Sequence, residues 1–230
     1  MDVSHALVFG AGGAIGGEIS GTLSDAGFVV HGTSREGTGD TLQVDPVRRP
    51  ETLAALDDLP PLEAVVWAQG ANVNDAAQTV ERDAFETIMT ANVTFVVVTL
   101  AHLLRSRRLA SPARMVVLSS IWERVARPGK FSYAISKAAI GGLVRAASVD
   151  LATEGHLINA VGPGVTDTPM TRAMLSEAQV AEVAGQTGFD RLVSPGDIAR
   201  LVTHLCSSSN TGVTGQSIPL DLGFSHARSL

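Results

Sequence analysis

Residues 6–17 constrain the chain most. A short apolar run, Ala6 to Phe9, breaks into Gly10-Ala11-Gly12-Gly13-Ala14-Ile15-Gly16-Gly17, and helical spacing begins within that stretch. A buried strand that stops on glycine and restarts as a helix must turn sharply and pack back on itself, which glycine allows. The start of such a helix offers unpaired N–H groups and the positive end of its dipole, a seat for phosphate. The turn follows the first strand and opens a helix, the context a dinucleotide-binding turn requires. A ligand-free packing turn, or the turn of a methyltransferase that binds an adenosyl cofactor, meets the same description.

The rest of the chain repeats the alternation. Apolar runs at Phe28–Thr33, Leu42–Val44, Ala64–Trp67, Met115–Leu118, Leu157–Val161 and Gln216–Leu220 read as strands. Helical spacing covers Ala14–Ala26, Pro50–Leu56, Glu81–Arg105, Tyr133–Ala152, Thr171–Ala184 and Pro195–Cys206, with Gly27 and Pro195 as stop and start signals. Continuously apolar strands alternating with helices predict an α/β fold, a doubly wound parallel β-sheet flanked by helices. No repeat or linker divides the 230 residues, so a single domain over 1–230 is expected.

Composition narrows the function classes. One cysteine, Cys206, excludes an intrachain disulfide and a cysteine metal cluster. A net charge of −6 argues against a nucleic-acid partner. No uninterrupted run of eighteen apolar residues is present, so no membrane association is expected. No basic segment followed by an apolar stretch marks the N-terminus, so the expected compartment is the cytoplasm.

The end of the second strand bears on the cofactor. A carboxylate there suits the ribose hydroxyl of NAD, and an arginine the 2′-phosphate of NADP. The chain reads Thr33-Ser34-Arg35-Glu36. Ser34 and Arg35 favour NADP(H), and Glu36 keeps NAD(H) open. Further along, Tyr133 and Lys137 stand four apart at the start of a helix and share a face. The chain has one tyrosine and only two lysines, so the pairing is not a common coincidence. An ammonium beside a phenol favours the phenolate, which predicts a lowered tyrosine pKa and acid/base work near neutrality. Ser120, at the end of the preceding strand, is placed to return beside Tyr133.

These segments together resemble the short-chain dehydrogenase/reductase family over nearly the whole chain, with a layout like that of 3-oxoacyl carrier-protein reductases. The resemblance implies a Rossmann-type fold. It rests on the turn Gly10 to Gly16, Asp45, Gly70, Asn92 in Thr90-Ala91-Asn92-Val93, Ser120, the Tyr133–Lys137 pair, and Gly162-Pro163-Gly164 with Thr168. It implies an NAD(P)-dependent oxidoreductase that reduces a ketone or oxidises a secondary alcohol. Tyr133 would donate the proton, Ser120 would hold the substrate oxygen, and Lys137 would grip the nicotinamide ribose. Asn92 would hold a relay water. Cofactor contacts would come from Gly10, Gly12, Gly13, Ala14, Ile15, Gly16, Ser34, Arg35, Asp45 and Gly70, then from Pro163, Gly164, Val165 and Thr168. The family usually has threonine at Phe9, glycine at Ala14 and an Asn-Asn-Ala-Gly stretch at Trp67–Gly70. The arginine that some NADP-dependent members carry inside the turn is replaced by Gly13.

The substrate would lie beyond the C-terminal strand ends. Trp122, Phe131, Met170, Met174 and Phe189 are apolar candidates for its pocket, with Trp122 and Met170 foremost. By the resemblance, residues of about 168–190 would form a lid. Arg124, Arg127 and Lys130 against Glu123 make an anionic or carrier-linked substrate a further expectation. The resemblance also implies a homotetramer or homodimer and no metal. A nucleotide-binding sensor or scaffold without turnover is the alternative from another class. An epimerase or dehydratase that recycles its nicotinamide fits a chain this short poorly.

Overall fold

A computed structural model of the chain describes residues 3–37 and 39–226. Residues 1, 2, 38 and 227–230 of the expected domain lie outside the described residues. The strands are β1 (Ser4–Phe9), β2 (Phe28–Ser34), β3 (Leu42–Gln43), β4 (Leu62–Trp67), β5 (Leu109–Leu118), β6 (Leu157–Pro163) and β7 (Ser217–Leu220). They form one sheet in the order β3-β2-β1-β4-β5-β6-β7, and every pairing is parallel. The helices are α1 (Ala14–Asp25), α2 (Arg82–Met89), α3 (Phe95–Arg105), α4 (Phe131–Asp150), α5 (Pro169–Met174), α6 (Glu177–Gly185) and α7 (Pro195–Cys206). This is the expected doubly wound sheet in one Rossmann-type domain.

Both faces of the sheet are apolar because successive side chains on a strand point to opposite sides. In β1, Ala6 and Val8 enter the layer under α1 and α7, beside Ile19, Leu23, Ile198 and Val202. Leu7 and Phe9 enter the opposite layer with Phe95, Leu103, Ile140 and Val144 from α3 and α4. At about 1.5–3 kcal/mol for each fully buried large apolar side chain, these two layers supply the main drive for folding. Phe9 and Trp67 are register partners across β1 and β4. Their rings stack at 5.6 Å, and Phe95 meets Phe9 edge-on at 5.5 Å. Trp67 Nε1 donates to Thr99 Oγ1 at 2.8 Å. The two departures from the family pattern therefore compensate each other inside the core.

Several boundaries differ from expectation. The helix expected over Glu81–Arg105 is α2 and α3 joined by a π turn at Thr90–Thr94. By length and composition the span Arg82–Arg105 could cross a membrane. Its apolar residues Phe95, Val96, Leu100 and Leu103 instead pack in the core layer. The helix expected over Thr171–Ala184 is two helices, because Leu175 is extended and Ser176 caps α6 through a capping box with Gln179. The strand expected at Met115 starts earlier, at Leu109. The short helix at Pro50–Leu56 is of the 3-10 type. The long alanine-rich helix begins at Phe131, so Tyr133 lies in its first turn. Its Ile140, Val144 and Leu151 face the sheet as expected.

Candidate active site

The chain runs outward from β1 through β2 to β3, then returns to place β4 on the other side of β1. A crevice forms where the winding reverses, beyond the C-terminal strand ends. Here the ends of β1, β2, β4, β5 and β6 line one open cleft of about 1190 Å³.

The glycine turn divides into two kinds of residue. Gly10 has φ +79°, and a Cβ there would lie 2.8 Å from Gln69 N. A Cβ on Gly16 would lie 2.2 Å from Gly10 O. These two glycines make the turn possible. Gly12 faces open space, with nothing within 4 Å of a Cβ. The turn is fastened to β2 by Gly10 N and Ala11 N, which both donate to Thr33 O at 3.1 Å. Beside it, Gln69 Oε1 is buried without a hydrogen-bond partner among the described residues. Gln69 lines the cleft, so a donor on a bound ligand would complete it. An open glycine bay at a helix start and an orphaned acceptor opposite it fit a dinucleotide.

At the end of β2, Ser34 and Arg35 line the cleft, together with Arg48. Ser34 Oγ lies 2.8 Å from Thr41 Oγ1 and accepts from Gly37 N at 2.9 Å. Glu36 also borders the cleft, but its carboxylate pairs with Arg49 Nη2 at 3.4 Å. Asp45 is buried, and its Oδ1 accepts from Arg48 N at 3.1 Å. Arg48 was not among the expected contacts, because its place is set by the Asp45 turn and by no local motif.

Ser120 lies two residues past β5 and caps the turn that follows, its Oγ accepting from Trp122 N at 3.3 Å. The same hydroxyl is near enough to the Tyr133 phenol to bear on its acidity. Lys137, one turn further along α4, donates through Nζ to Leu118 O at 2.9 Å. Its ammonium lies 5.6 Å from the Tyr133 ring centroid. Thus Ser120, Tyr133 and Lys137 meet on the cleft wall. The acidity of the pair departs from expectation. Burial pushes the Tyr133 phenol up from its ordinary value, and the Ser120 hydroxyl only partly offsets this. Burial also pushes Lys137 down to about 8, against the attraction of Glu123. Desolvation disfavours both charges, so it outweighs the expected lowering of the phenol by the lysine.

Asn92 is also placed differently. It sits in the π turn, nearly fully buried, behind the cleft wall. Its Oδ1 accepts from Ala71 N at 2.8 Å, and its Nδ2 donates to Ala71 O at 3.0 Å and Ser136 Oγ at 2.9 Å. The side chain clamps the loop after β4 onto α4, and both of its donors are engaged there. A Cβ on Gly70 would come within 3.0 Å of Asn92 Oδ1, which explains glycine there.

The remaining expected cofactor residues, Gly13, Ala14, Ile15, Pro163, Gly164, Val165 and Thr168, line the cleft. Thr168 caps α5 by accepting from Thr171 N at 3.2 Å. Trp122, Met170 and Met174 border the cleft as well, whereas Phe131 and Phe189 do not. Phe131 is displaced because it opens α4 on the exposed side. The N-terminus of α4 is capped from a distance: the Asp75 carboxylate accepts from Ser132 N at 2.9 Å and from Ser132 Oγ. Lys130, expected as one of several loop charges, is instead 5% exposed and lines the cleft.

Comparison with known proteins agrees with this geometry. The family model described as enoyl-(acyl carrier protein) reductase matches residues 52–225. A 3-oxoacyl-(acyl-carrier-protein) reductase of Vibrio cholerae is 26% identical over 234 residues, covering 95% of this chain and 96% of that protein. A glucose 1-dehydrogenase of Gluconobacter oxydans is 28% identical over 190 residues, covering 81% of this chain and 70% of that protein. A solved structure described as a putative short-chain alcohol dehydrogenase from Sinorhizobium meliloti superposes with a TM-score of 0.90 at 26% identity, covering 99% of this chain and 98% of the other.

Proposed function

Because the chain belongs to the short-chain dehydrogenase/reductase family, we propose that it reduces a ketone to a secondary alcohol with a nicotinamide dinucleotide, using Tyr133 as the proton donor. The observation that carries this reading is the meeting of Ser120, Tyr133 and Lys137 on the cleft wall, with the Lys137 ammonium 5.6 Å from the ring.

A reduced nicotinamide, when bound, supplies hydride to the carbonyl carbon. The protein's own groups handle the oxygen. Ser120 and Tyr133 converge on one acceptor position, so a carbonyl oxygen there takes a hydrogen bond from each. As the oxygen gains charge, the Tyr133 proton moves to it. Lys137 then faces a phenolate, and its charge favours that product of proton transfer. A phenol whose pKa is raised by burial is protonated at neutral pH, which suits reduction better than alcohol oxidation. Gly10 to Gly16, Asp45, Gly70 and Pro163 to Thr168 would hold the dinucleotide. Arg35 and Arg48 near Ser34 support a preference for NADP(H), since Glu36 is engaged by Arg49.

Residues 168–190 are assigned as the lid. Met170 and Met174 are exposed on α5 and border the cleft. Arg172 grips Asp167 with two bonds of 2.7 and 2.8 Å at the base of this segment. Exposed Phe131, Ile135 and Val149 on α4 support self-association as a homodimer or homotetramer. A sensor or scaffold would have no use for the Ser120, Tyr133 and Lys137 constellation.

The test is a fluorescence titration with NADPH and NADH, followed by turnover of ketones and 3-oxoacyl thioesters. Tighter binding of NADPH and ketone reduction that Tyr133→Phe abolishes are expected. Failure to bind either dinucleotide, or full activity of Tyr133→Phe, would overturn the reading.

A further inference from the structure

Lys130 is a buried cation, 5% exposed, with no carboxylate in ion-pair contact among the described residues. Its Nζ donates to Asn72 Oδ1 at 2.8 Å and Asn74 Oδ1 at 2.7 Å. Both acceptors are neutral, and an ammonium has three donors, so one is left over. The carboxylate that attracts it, Asp75, is committed to the N-terminus of α4 through Ser132. A charge withdrawn from water and not neutralised is unfavourable. Burial and the repulsion of Arg127 accordingly push Lys130 down to about 8, with Asp75 opposing weakly.

The position of this cation gives it a use. Lys130 lines the cleft, and its Nζ lies 5.5 Å from the Tyr133 ring centroid, as Lys137 does at 5.6 Å. Arg127 lies 5.5 Å over the Trp122 ring, and both residues border the same space. The acids on the cleft wall near α2 are Asp83 and Glu86, and Glu86 is paired with Arg82 at 2.7 Å. The wall beside Tyr133 is thus positive.

We infer that Lys130, held by Asn72 and Asn74 with Arg127 nearby, is a carboxylate anchor, so that the substrate is a short oxo acid. The inference rests on the oxidoreductase reading and adds the substrate's charged end to it. With the carbonyl oxygen at Ser120 and Tyr133, an ammonium this close to the ring reaches a carboxylate only a few carbons away. The charge-assisted bond forms on a desolvated wall, where it is stronger than in water. The carboxylate takes no part in the chemistry and fixes which face of the ketone meets the cofactor.

The experiment compares the three oxopentanoic acids with their methyl esters, as kcat/KM with excess NADPH, in the native protein and in Lys130→Met, Lys130→Arg and Asn72→Asp. The native protein should favour at least one acid over its ester by about tenfold or more, the scale of one hydrogen bond to a charged group. Lys130→Met should erase that preference, and Lys130→Arg should keep most of it. Asn72→Asp retains the lysine but supplies an internal carboxylate, so it should erase the preference even if Lys130→Met does not fold. A role limited to stapling the 71–75 loop would alter stability and leave the acid-to-ester ratio alone. An unchanged ratio in Lys130→Met or Asn72→Asp, or a native preference for esters, overturns the inference. Reduction of cyclohexanone but of no oxo acid also overturns it, while leaving the oxidoreductase reading intact. Turnover of no carbonyl compound at all overturns both.

Discussion

Lys137 keeps its ammonium 5.6 Å from the centre of the Tyr133 ring while donating to Leu118 O at 2.9 Å. The lysine is tied to the end of β5 and so is fixed relative to Ser120. The tyrosine is fixed by its place in the first turn of α4. Removing the phenol oxygen should lower kcat/KM by about 100-fold or more, the lower range for loss of a positioned acid. The dissociation constant for NADPH should stay within about twofold, since the ring remains. Steady-state kinetics with a ketone, beside a fluorescence titration, measure both.

The two classes of glycine in the turn should separate folding from binding. Gly16→Ala places a Cβ 2.2 Å from Gly10 O, so the turn must shift and the protein should lose several kcal/mol of stability. Gly12→Ala meets nothing within 4 Å and should melt at nearly the native temperature. It should nonetheless weaken dinucleotide binding, because the methyl group occupies the bay. Thermal melts with and without NADPH distinguish the two outcomes.

Arg35 and Arg48 should set the preference for NADPH. Loss of a hydrogen bond to a charged group costs about 1.5–3 kcal/mol, so Arg35→Ala should weaken NADPH binding by about tenfold or more. NADH binding should change little. Glu36→Gln should alter neither, because the native carboxylate is already paired with Arg49. Parallel titrations with the two cofactors provide the check.

Lys130 should leave a signature in stability as well as in specificity. Its pKa is pushed down to about 8 from an ordinary 10.5. Below pH 8 the folded and unfolded chains both carry the charge, and the folded state bears the burden of desolvation. Between about 8 and 10.5 the folded protein releases the proton while the unfolded chain keeps it, so this group's contribution to stability rises with pH. Lys130→Met removes the burden while leaving Asn72 Oδ1 and Asn74 Oδ1 without this donor, so any gain over the native protein should be greatest at pH 7. That advantage should shrink as the pH approaches 10.5. Urea denaturation at pH 7 and pH 10 tests the trend.

The sheet, its parallel order and the meeting of Ser120, Tyr133 and Lys137 were legible because each follows from local pattern: apolar runs, glycine stops, and a four-residue offset on a helix. The π turn was not legible. Thr90 to Thr94 carries no glycine or proline to mark a break, and a tertiary contact accompanies the distortion, the clamp of Asn92 on Ala71 and Ser136. The break at Leu175 did carry a signal, Ser176 with Gln179 three residues on, which apolar spacing across it masked. The burial of Lys130 also lay beyond the sequence, because its partners Asn72 and Asn74 belong to a loop some 56–58 residues away. The tyrosine's raised pKa depends on how much water the fold removes, a quantity that spacing alone does not report.

The order β3-β2-β1-β4-β5-β6-β7 draws the cleft wall from segments as far apart in the chain as Gly10 and Thr168. Gly10 to Arg48 supply one part of that wall and Ser120 to Thr168 another, so the full binding surface is assembled only when the central strands have all docked. A dinucleotide lying across those strand ends acts as a fastener on the whole sheet. At a hundredfold excess over its dissociation constant it adds about 2.7 kcal/mol to the stability of the native state. Resistance of the folded chain to proteolysis should then rise with the concentration of dinucleotide supplied to it.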